Sequence, residues 1–289
     1  MPVALVTCRT LPEPDPDQEL LLAALRRAGL ATELLAWDDP EARAEEFELC
    51  VLRSSWNYPL QPEEFLAWIE RTAAATRLVN SATVVRWNLH KRYLTELEAS
   101  GLPTVPTIFV QRGARVSFAE TLRREGWNEA VIKPCISAGS FRTRRFALRD
   151  GLEAQEFLDE LARERDAMIQ RYMSSVEKEG ETAMVWIAGQ WTHAVDKAPR
   201  FQGAEEHVSE AIVPADAEQE LADRVIASLP ERWRAEMLYA RLDLIPADDG
   251  KPLVSELELI EPSLFLIQHP PALERLVEGI RVLVETDAR

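Results

Sequence analysis

The sequence predicts an α/β fold with more than one domain. Over the first 80 residues, short apolar runs that are typical of buried strands alternate with longer helical segments, which indicates a parallel sheet with crossover helices. Farther along, pairs of strand-like runs are separated by short turns, which indicates hairpins. A chain of 289 residues is long for one compact core and sufficient for two or three domains.

The N-terminal part is predicted to contain three strands and two helices. The strands cover 3–8, 32–37 and 48–53, and the helices cover 18–29 and 62–75. Asp17 is placed to cap the first helix with its side chain, and Gly29 is a common stop at a helix C-terminus. Pro62 occupies the first position of the second helix, where its missing N–H is not needed. The strands and helices thus alternate as a parallel sheet requires.

A second segment begins near Asn80. Its helices are predicted at 88–100, 117–125 and 152–164, and its strands at 105–110, 130–135 and 167–172. A hairpin of strands 182–187 and 190–195 follows, with Ala188 and Gly189 as its turn. A helix at 216–229, strands at 237–245 and 252–260, and a helix at 271–286 complete the chain. This part of the chain is therefore predicted to contain antiparallel strand pairs.

The composition excludes several classes of function. A formal net charge of −16 opposes binding to nucleic acid or to an anionic membrane surface. No apolar run approaches the ~20 residues of a membrane span, and the N-terminus does not resemble a signal peptide. The three cysteines, Cys8, Cys50 and Cys135, are too few and too far apart for a disulfide framework or a cysteine-based zinc site. We therefore expect a cytoplasmic protein with a small-molecule substrate.

Two lysines and a small-residue loop form the first candidate site. Lys133 closes an apolar strand, which favours a position over a site, whereas Lys91 lies early on a predicted helix, where most lysines are solvated. The loop residues Ser137, Gly139 and Ser140 offer backbone N–H groups and hydroxyls that can hold phosphates. A plain turn explains the loop equally well, because the GxxxxGK[ST] pattern is missing.

Acidic residues near the C-terminus form the second candidate site. Glu256 and Glu258 alternate on an apolar strand and therefore project from the same face. Two carboxylates there repel one another and lose hydration unless a cation lies between them. With Asp243 from the neighbouring strand, close to Arg241, they supply three oxygen ligands suited to Mg²⁺. A solvated strand face is the alternative.

Two strand ends form the remaining candidate sites. Gln170, Arg171, Tyr172 and Met173 end an apolar strand and could offer backbone groups to an adenine, and Glu181 could then bind ribose hydroxyls. An ordinary connecting loop explains this segment as well.

Arg53 and Asn57 follow a predicted parallel strand, at the sheet edge where open α/β folds bind ligands. Arg53 could pair bidentately with a substrate carboxylate. The alternative is a loop arginine in a surface ion pair. Both residues are therefore candidates for binding substrate.

The order of these segments resembles the glutathione-synthetase-like branch of the ATP-grasp superfamily over roughly residues 50–265. The similar segments are the substrate loop at 53–58, the first-lysine helix at 86–91, the second lysine and phosphate loop at 131–140, the adenine segment at 168–173, Glu181 for ribose, Lys197 beside the reacting groups, and Asp243, Glu256 and Glu258 for metal. The resemblance implies an ATP-grasp fold with an N-terminal Rossmann-like domain (1–83), a small central α/β lid region (84–173) and a C-terminal mixed-sheet domain (174–289).

Several segments are most similar to one subgroup, the O-ureido-serine cyclo-ligases of cycloserine biosynthesis. They are RSSWNYP, VVRWNLHKRYL, IKPCISAGS, THAVDKAP, YARLD and ELELIEPSLFL. Two features depart from the family pattern. Glu258 stands where many ATP-grasp enzymes carry Asn, and the stretch 200–211 lacks the paired glycines expected beside an acyl-phosphate pocket.

The resemblance implies an ATP-dependent carboxylate–amine ligase that acts on a small amino-acid-like substrate. It would form an amide or lactam through an acyl phosphate and release ADP and phosphate. Lys91, Lys133 and Arg241 would stabilise the transferring phosphoryl group. Lys197 and Arg241 are the implied catalytic residues, and Lys197 would also hold the substrate carboxylate together with Arg53.

The cofactors implied are ATP and two Mg²⁺ ions, for which Mn²⁺ could substitute. No general base is indicated, since the lone His193 and His207 are more typical of structural or exposed histidines. A non-catalytic ATP-binding scaffold and an ATP-grasp kinase are the alternatives, whereas no GxGxxG pattern supports a dehydrogenase. Two-fold dimers are the commonest soluble oligomers, so a homodimer is the base-rate expectation.

Overall fold

The computed structural model describes residues 1–201 and 207–287, whose strands form three four-stranded sheets. The strands are β1 (Val3–Thr7), β2 (Thr32–Ala36), β3 (Leu49–Ser54), β4 (Arg77–Val79), β5 (Thr107–Val110), β6 (Glu129–Pro134), β7 (Arg144–Ala147), β8 (Ala167–Arg171), β9 (Glu181–Ile187), β10 (Gln190–Lys197), β11 (Tyr239–Pro246) and β12 (Pro252–Glu258). The helices are α1 (Gln18–Arg27), α2 (Pro62–Ala75), α3 (Ala82–Asn88), α4 (Tyr93–Ala99), α5 (Phe118–Glu125), α6 (Gly151–Glu164), α7 (Val176–Glu179), α8 (Asp216–Ser228), α9 (Glu231–Glu236) and α10 (Pro270–Asp287). None of the helices described combines the length and hydropathy needed to cross a bilayer.

The N-terminal sheet is parallel, with the strand order β2-β1-β3-β4. Every residue of β1 and β3 is buried, because connecting helices cover the apolar strands, as the alternating pattern predicts. Asp17 precedes α1 as predicted, but its side chain makes no capping bond. The prediction of a side-chain cap is wrong because the carboxylate instead accepts the Leu266 backbone N–H at 3.0 Å. Asp17 therefore links the N-terminal sheet to the C-terminal part of the chain.

The central sheet is antiparallel, with the order β5-β8-β6-β7. Helices α5 and α6 pack on it through a core that includes Phe118, Leu122 and Leu158. Ser117 caps α5 by accepting the Glu120 backbone N–H. This sheet carries Lys133 on β6, next to the loop that returns the chain to β7.

The C-terminal sheet has the order β10-β9-β11-β12 with antiparallel pairing, and one parallel bridge joins Thr104 to Val254. Ala188 and Gly189 form the predicted tight turn between β9 and β10, with φ values of 44° and 92°. In the β11–β12 pair, Asp243 lies directly opposite Glu256. The sheet thus brings predicted metal ligands from two strands side by side.

One apolar core joins the N-terminal and C-terminal sheets. It includes Leu21 and Leu25 of α1, Val185 of β9, and Leu276 and Ile280 of α10. This packing lays the carboxyl ends of the N-terminal strands against the C-terminal sheet. Substrate ligands on one sheet and catalytic residues on the other can therefore meet.

The predicted helix at 88–100 is confirmed over Tyr93–Ala99, which form α4, but its predicted start is wrong, because the chain turns after Asn88 at the end of the separate helix α3. Lys91 lies in the turn between them, where its backbone N–H donates to the Cys135 carbonyl oxygen at 2.8 Å. Asn88 ends α3, and its side-chain amide bonds the backbone of Leu257 and Leu259 on or beside β12. These tertiary bonds stop the helix and place Lys91 beside the loop after Lys133.

Candidate functional site

A cavity of about 180 Å³ opens between the C-terminal sheet, the loop after β6 and the segment after β3. Most of the residues predicted from the sequence to bind ATP or metal line it. They are Lys91, Lys133, Ser137, Gly139, Ser140, Glu181, Lys197, Arg241, Asp243, Glu256 and Glu258. The central sheet, the loop after β6, the C-terminal sheet and the α3–α4 turn contribute to this list. The fold therefore collects into one site groups that lie up to 167 positions apart in the sequence.

Lys91 and Lys133 share one carboxylate. Lys91 Nζ lies 2.8 Å from Glu256 Oε2, and Lys133 Nζ lies 2.5 Å from Glu256 Oε1. Burial opposes the ionisation of Glu256, but the two ammonium groups outweigh it and hold the pKa of Glu256 well below its usual range. Burial would likewise lower the pKa of Lys91, yet the carboxylate raises it. Both lysines are therefore buried and held in place by one acid.

Asp243 is the centre of a second charge cluster. It accepts Lys197 Nζ at 2.6 Å and the Arg241 guanidinium at 2.8 and 2.9 Å. Burial raises the pKa of Asp243, but Arg241 and Lys197 together bring it below its usual value. Arg241 also donates to Glu258 at 2.6 Å. The arginine thus joins the acid of β11 to the acid of β12.

Glu258 differs from the other two acids. Burial, together with the negative charges of Asp243 and Glu256, raises the pKa of Glu258 to about 7, although its bond to Arg241 acts in the opposite direction. Glu181 also lines the cavity, and its carboxylate lies 3.7 Å from Lys197 Nζ. Burial raises the pKa of Glu181 as well. In this part of the cavity, the carboxylates of Glu181, Asp243 and Glu258 therefore outnumber the cations Lys197 and Arg241.

The carboxylates fit a hard divalent cation by their chemistry. Within residues 1–201 and 207–287, no group of three His, Cys, Asp or Glu side chains is arranged as a metal site, since each acid here faces a lysine or arginine. Asp243, Glu256 and Glu258 nevertheless line one cavity from adjacent strands and offer oxygen ligands alone. Such a donor set suits Mg²⁺. Their role as metal ligands stays a prediction.

The predicted adenine segment lies outside the lining of this cavity. Gln170 donates to Thr107 Oγ1 at 3.1 Å, and Arg171 pairs with Asp248 at 2.6 Å. Tyr172 stacks under the Arg145 guanidinium, and Met173 is buried. The structure thus brings Glu181 to the cavity, whereas residues 170–173 do not line it.

The predicted substrate residues Arg53 and Asn57 also lie outside the cavity lining. Asn57 has other partners, since it donates to Asp38 and accepts the Trp37 indole N–H, each at 2.7 Å. Arg53 is 3% exposed, and its two terminal nitrogens have no hydrogen-bond partner among the described residues. Its guanidinium lies 5.4 Å from the centre of the Tyr239 ring. Arg53 is therefore a buried cation whose donors remain available.

Several cavity residues were not predicted. Those with polar or aromatic side chains are Glu13, Trp56, Tyr58, Asn88, Tyr93, Thr143, Arg200, Ser255, Glu261 and Ser263. Trp56 and Tyr58 belong to the RSSWNYP segment, in which only the arginine and asparagine were singled out. Glu13 follows β1, at the same sheet edge as the segment after β3. Because open α/β sheets bind ligands at the carboxyl ends of their strands, the sequence could have identified this residue. Arg200 has no local signal, and only its ion pair with Glu13 reveals its place at the cavity mouth.

Neither histidine considered as a base lines the cavity. His193 stacks on His269 with ring centres 5.0 Å apart, and burial lowers the pKa of His193 to about 4. His207 is exposed. The polar stretch 200–211 borders the cavity through Arg200, whereas its residues 202–206 lie outside the described residues.

Known proteins resemble this chain in sequence and in structure. Residues 3–80 match a family model described as the N-terminal domain of D-cycloserine synthetase DcsG. The cycloserine biosynthesis protein DcsG of Streptomyces lavendulae is 33% identical over 276 residues, covering 91% of this chain and 92% of that protein.

Two solved structures extend the comparison. The crystal structure of D-cycloserine synthetase DcsG matches with a TM-score of 0.87 and 30% identity, covering 97% of this chain and 98% of that one. The ATP-grasp ligase PsnB, complexed with minimal precursor, Mg and ADP, matches with a TM-score of 0.61 and 19% identity over 96% of each chain. At that identity the PsnB likeness shows a shared fold alone.

Proposed function

We infer that this chain, which belongs to the DcsG family and is an ATP-grasp ligase, activates a small amino-acid-like carboxylate as an acyl phosphate and joins it to a nitrogen nucleophile. The products would be ADP, phosphate and an amide or lactam. One observation carries the proposal: three carboxylates and four buried cations of the predicted site line a single cavity in paired contact. We also propose that the chain divides into the domains 1–83, 84–173 and 174–289 that the resemblance implies.

The ion pairs of the cavity explain how ATP could enter it. A carboxylate oxygen is a poor leaving group, and transfer of the γ-phosphoryl group converts it into a good one. In the proposed complex, phosphate oxygens replace Glu256 as partners of Lys91 and Lys133, and substrate or phosphate replaces Asp243 at Lys197. Exchange of one anion for another keeps these buried lysines paired throughout. Arg241, which is 6% exposed, is positioned to stabilise the transferring group.

The acids released by this exchange would hold the metal. We propose Asp243, Glu256 and Glu258 as ligands of two Mg²⁺ ions. The ions would neutralise charge on the β- and γ-phosphates. Mn²⁺ has the same preference for oxygen ligands and could substitute. A glutamate at position 258, rather than an amide, retains an oxygen ligand there.

The loop after β6 is proposed to cover the phosphates. Gly139 and Ser140 adopt φ values of 55° and 58°, in the left-handed region, and both residues line the cavity. The Tyr58 hydroxyl donates to the Ser137 carbonyl oxygen at 3.3 Å, which ties this loop to the segment after β3. Residues 170–173 are proposed to contact adenine, and Glu181 to bind ribose hydroxyls. Exclusion of water by this loop would protect the acyl phosphate from hydrolysis.

The substrate is proposed to bind at the end of the cavity lined by Trp56, Tyr58 and Ser263, near the carboxyl ends of the N-terminal strands. Arg53 and Asn57 are proposed as additional ligands of its polar groups. The relatives named for cycloserine biosynthesis support an O-ureido-serine-like substrate that closes a ring on itself. The terminal nitrogens of Arg53, which have no hydrogen-bond partner in the described part of the chain, are consistent with an anionic substrate group.

The proposal is tested by incubating the protein with ATP, Mg²⁺ and a panel of amino acids that includes both enantiomers of O-ureido-serine. We expect ADP and phosphate with one substrate, and a hydroxamate when hydroxylamine is added, since hydroxylamine traps acyl phosphates. AMP and pyrophosphate would overturn the mechanism, and ADP without hydroxamate would favour a kinase. The predicted carboxylates, the predicted lysines and Arg241 all line this one cavity, which favours a ligase over a non-catalytic scaffold.

A further inference from the structure

We propose that Glu261 is the general base that removes the proton from the attacking nitrogen. This inference rests on the proposed ligase function and assigns the one role for which the sequence offered no candidate. Glu261 follows the C-terminal end of β12 and lines the same cavity as Arg241 and Glu258.

The reaction needs such a group. When nitrogen attacks the carbonyl carbon of an acyl phosphate, the C–N bond forms, the C–O bond to phosphate breaks, and phosphate departs with the bonding electrons. The nitrogen must then lose a proton, and a ureido nitrogen must lose it early because it is a poor nucleophile. A carboxylate within the cavity can accept that proton and later release it to solvent.

The position of Glu261 is well defined by its neighbours. The Trp56 indole N–H donates to the Glu261 carbonyl oxygen at 2.9 Å, which fixes the backbone against the segment after β3. The Tyr58 ring lines the cavity together with Glu261, and its hydroxyl donates to the Ser137 carbonyl oxygen of the loop after β6. Glu261 is 7% exposed. Glu261 therefore lies beside Trp56, at the end of the cavity proposed to bind the substrate.

Its lack of an ion pair separates Glu261 from the other acids. Glu13, Glu181, Asp243, Glu256 and Glu258 each lie within ion-pair distance of a lysine or arginine. Among the described residues, no lysine or arginine lies within ion-pair distance of Glu261. An acid bound to a cation is a weak base, whereas an unpaired buried acid is a strong one. Glu261 is therefore the carboxylate of this cavity best suited to accept a proton.

The electrostatic surroundings agree with this role. Burial, followed by the charge of Glu258 on β12, raises the pKa of Glu261 to about 8, while Tyr58, Lys91 in the α3–α4 turn and Arg241 on β11 lower it. A base is most effective when its pKa lies near the working pH. The described lining residues of the cavity include no histidine that could compete for the role.

The test compares two nucleophiles in Glu261→Gln. Hydroxylamine is already unprotonated near neutral pH and needs no base, so its attack reports acyl-phosphate formation alone. We expect the hydroxamate rate of Glu261→Gln to stay within a few-fold of wild type, while amide or lactam formation falls by about 10²-fold or more. Glu261→Asp should recover part of that loss, and Glu220→Gln, on the exposed side of α8, should match wild type in both assays.

The pH profile gives an independent measurement. Product formation by the wild type should rise with pH and level off once Glu261 is ionised, whereas the residual rate of Glu261→Gln should keep rising without that plateau. Equal loss of hydroxamate and product in Glu261→Gln, or wild-type product formation by it, would overturn this inference alone. If the wild type yields no hydroxamate with any substrate, the proposed function fails, and this inference fails with it.

Discussion

Lys91 and Glu256 lie 165 positions apart in the sequence and form an ion pair of 2.8 Å at the base of the cavity. The second oxygen of the same carboxylate accepts Lys133 at 2.5 Å, so one acid holds both lysines together. The three groups come from the α3–α4 turn, the central sheet and the C-terminal sheet. This contact therefore joins the parts of the chain that the proposed reaction must coordinate.

Replacement of Glu256 by Gln should abolish turnover, because it removes a proposed metal ligand, and should also lower Tm. Without nucleotide, the variant leaves two buried ammonium groups without their carboxylate, which costs about 3–5 kcal/mol. Addition of ATP and Mg²⁺ should narrow the Tm difference from wild type, since phosphate oxygens can replace the lost anion. Calorimetry with and without nucleotide measures both effects.

A surface pair provides the control for this variant. Glu278 forms an ion pair with Arg281 on the exposed face of α10. Glu278→Gln should change the free energy of unfolding by less than about 1 kcal/mol. Wild-type turnover in Glu256→Gln would exclude Glu256 as a metal ligand.

Replacement of Lys133 by Ala should weaken ATP binding by about 10- to 100-fold, the value of a charge-assisted hydrogen bond. Titration calorimetry with a non-hydrolysable ATP analogue measures this change. Lys178, on the exposed side of α7, is the matched control, and Lys178→Ala should bind like wild type. Unchanged affinity in Lys133→Ala would mean that Lys133 does not contact the nucleotide.

Residues with a local signature could be predicted from the sequence. Lys133 ends an apolar strand before a small-residue loop, and Glu256 and Glu258 alternate on a strand, so strand geometry alone places the two acids on one face of their sheet. The α/β class and the hairpin at Ala188 and Gly189 follow from equally local patterns. These features are encoded within a few neighbouring residues.

Features that depend on distant contacts could not be predicted in this way. The break between α3 and α4 is invisible to helical periodicity, because it is made by the bond from Lys91 to Cys135 across the chain. The short elements β4 and α9 have too few residues to show a period. Glu261 follows an acidic strand and has no distinguishing sequence pattern; only the packing of the sheets shows that no lysine or arginine among residues 1–201 and 207–287 pairs with it.

The stability of the protein without ligand should depend on pH through Glu261. Its folded-state pKa of about 8 lies above its ordinary value, so the folded state binds this proton more tightly than the unfolded chain does. Stability from this group is complete at low pH and is lost as pH rises from the ordinary pKa through 8, by at most about 5 kcal/mol.

Glu261→Gln carries a neutral side chain at every pH and should not show this loss. We therefore expect Tm of wild type to fall relative to the variant between pH 5 and pH 8, as measured by calorimetry. Glu258 titrates in both proteins, and since its charge raises the pKa of Glu261, its coupling to Glu261 is part of the measured difference. Parallel Tm curves would show that Glu261 has an ordinary pKa.

Replacement of Arg53 by Met should separate substrate binding from stability. The guanidinium is buried above Tyr239, and its terminal nitrogens have no hydrogen-bond partner among the described residues, so an apolar side chain of similar size should keep or raise Tm. The same change should raise KM for the carboxylate substrate by about 10- to 100-fold, because one charge-assisted contact is lost. Arg149→Met, at an exposed surface position, should alter neither quantity. A lower Tm with unchanged KM would instead mean that Arg53 supports packing around Tyr239, and that the substrate carboxylate binds among the cavity residues alone.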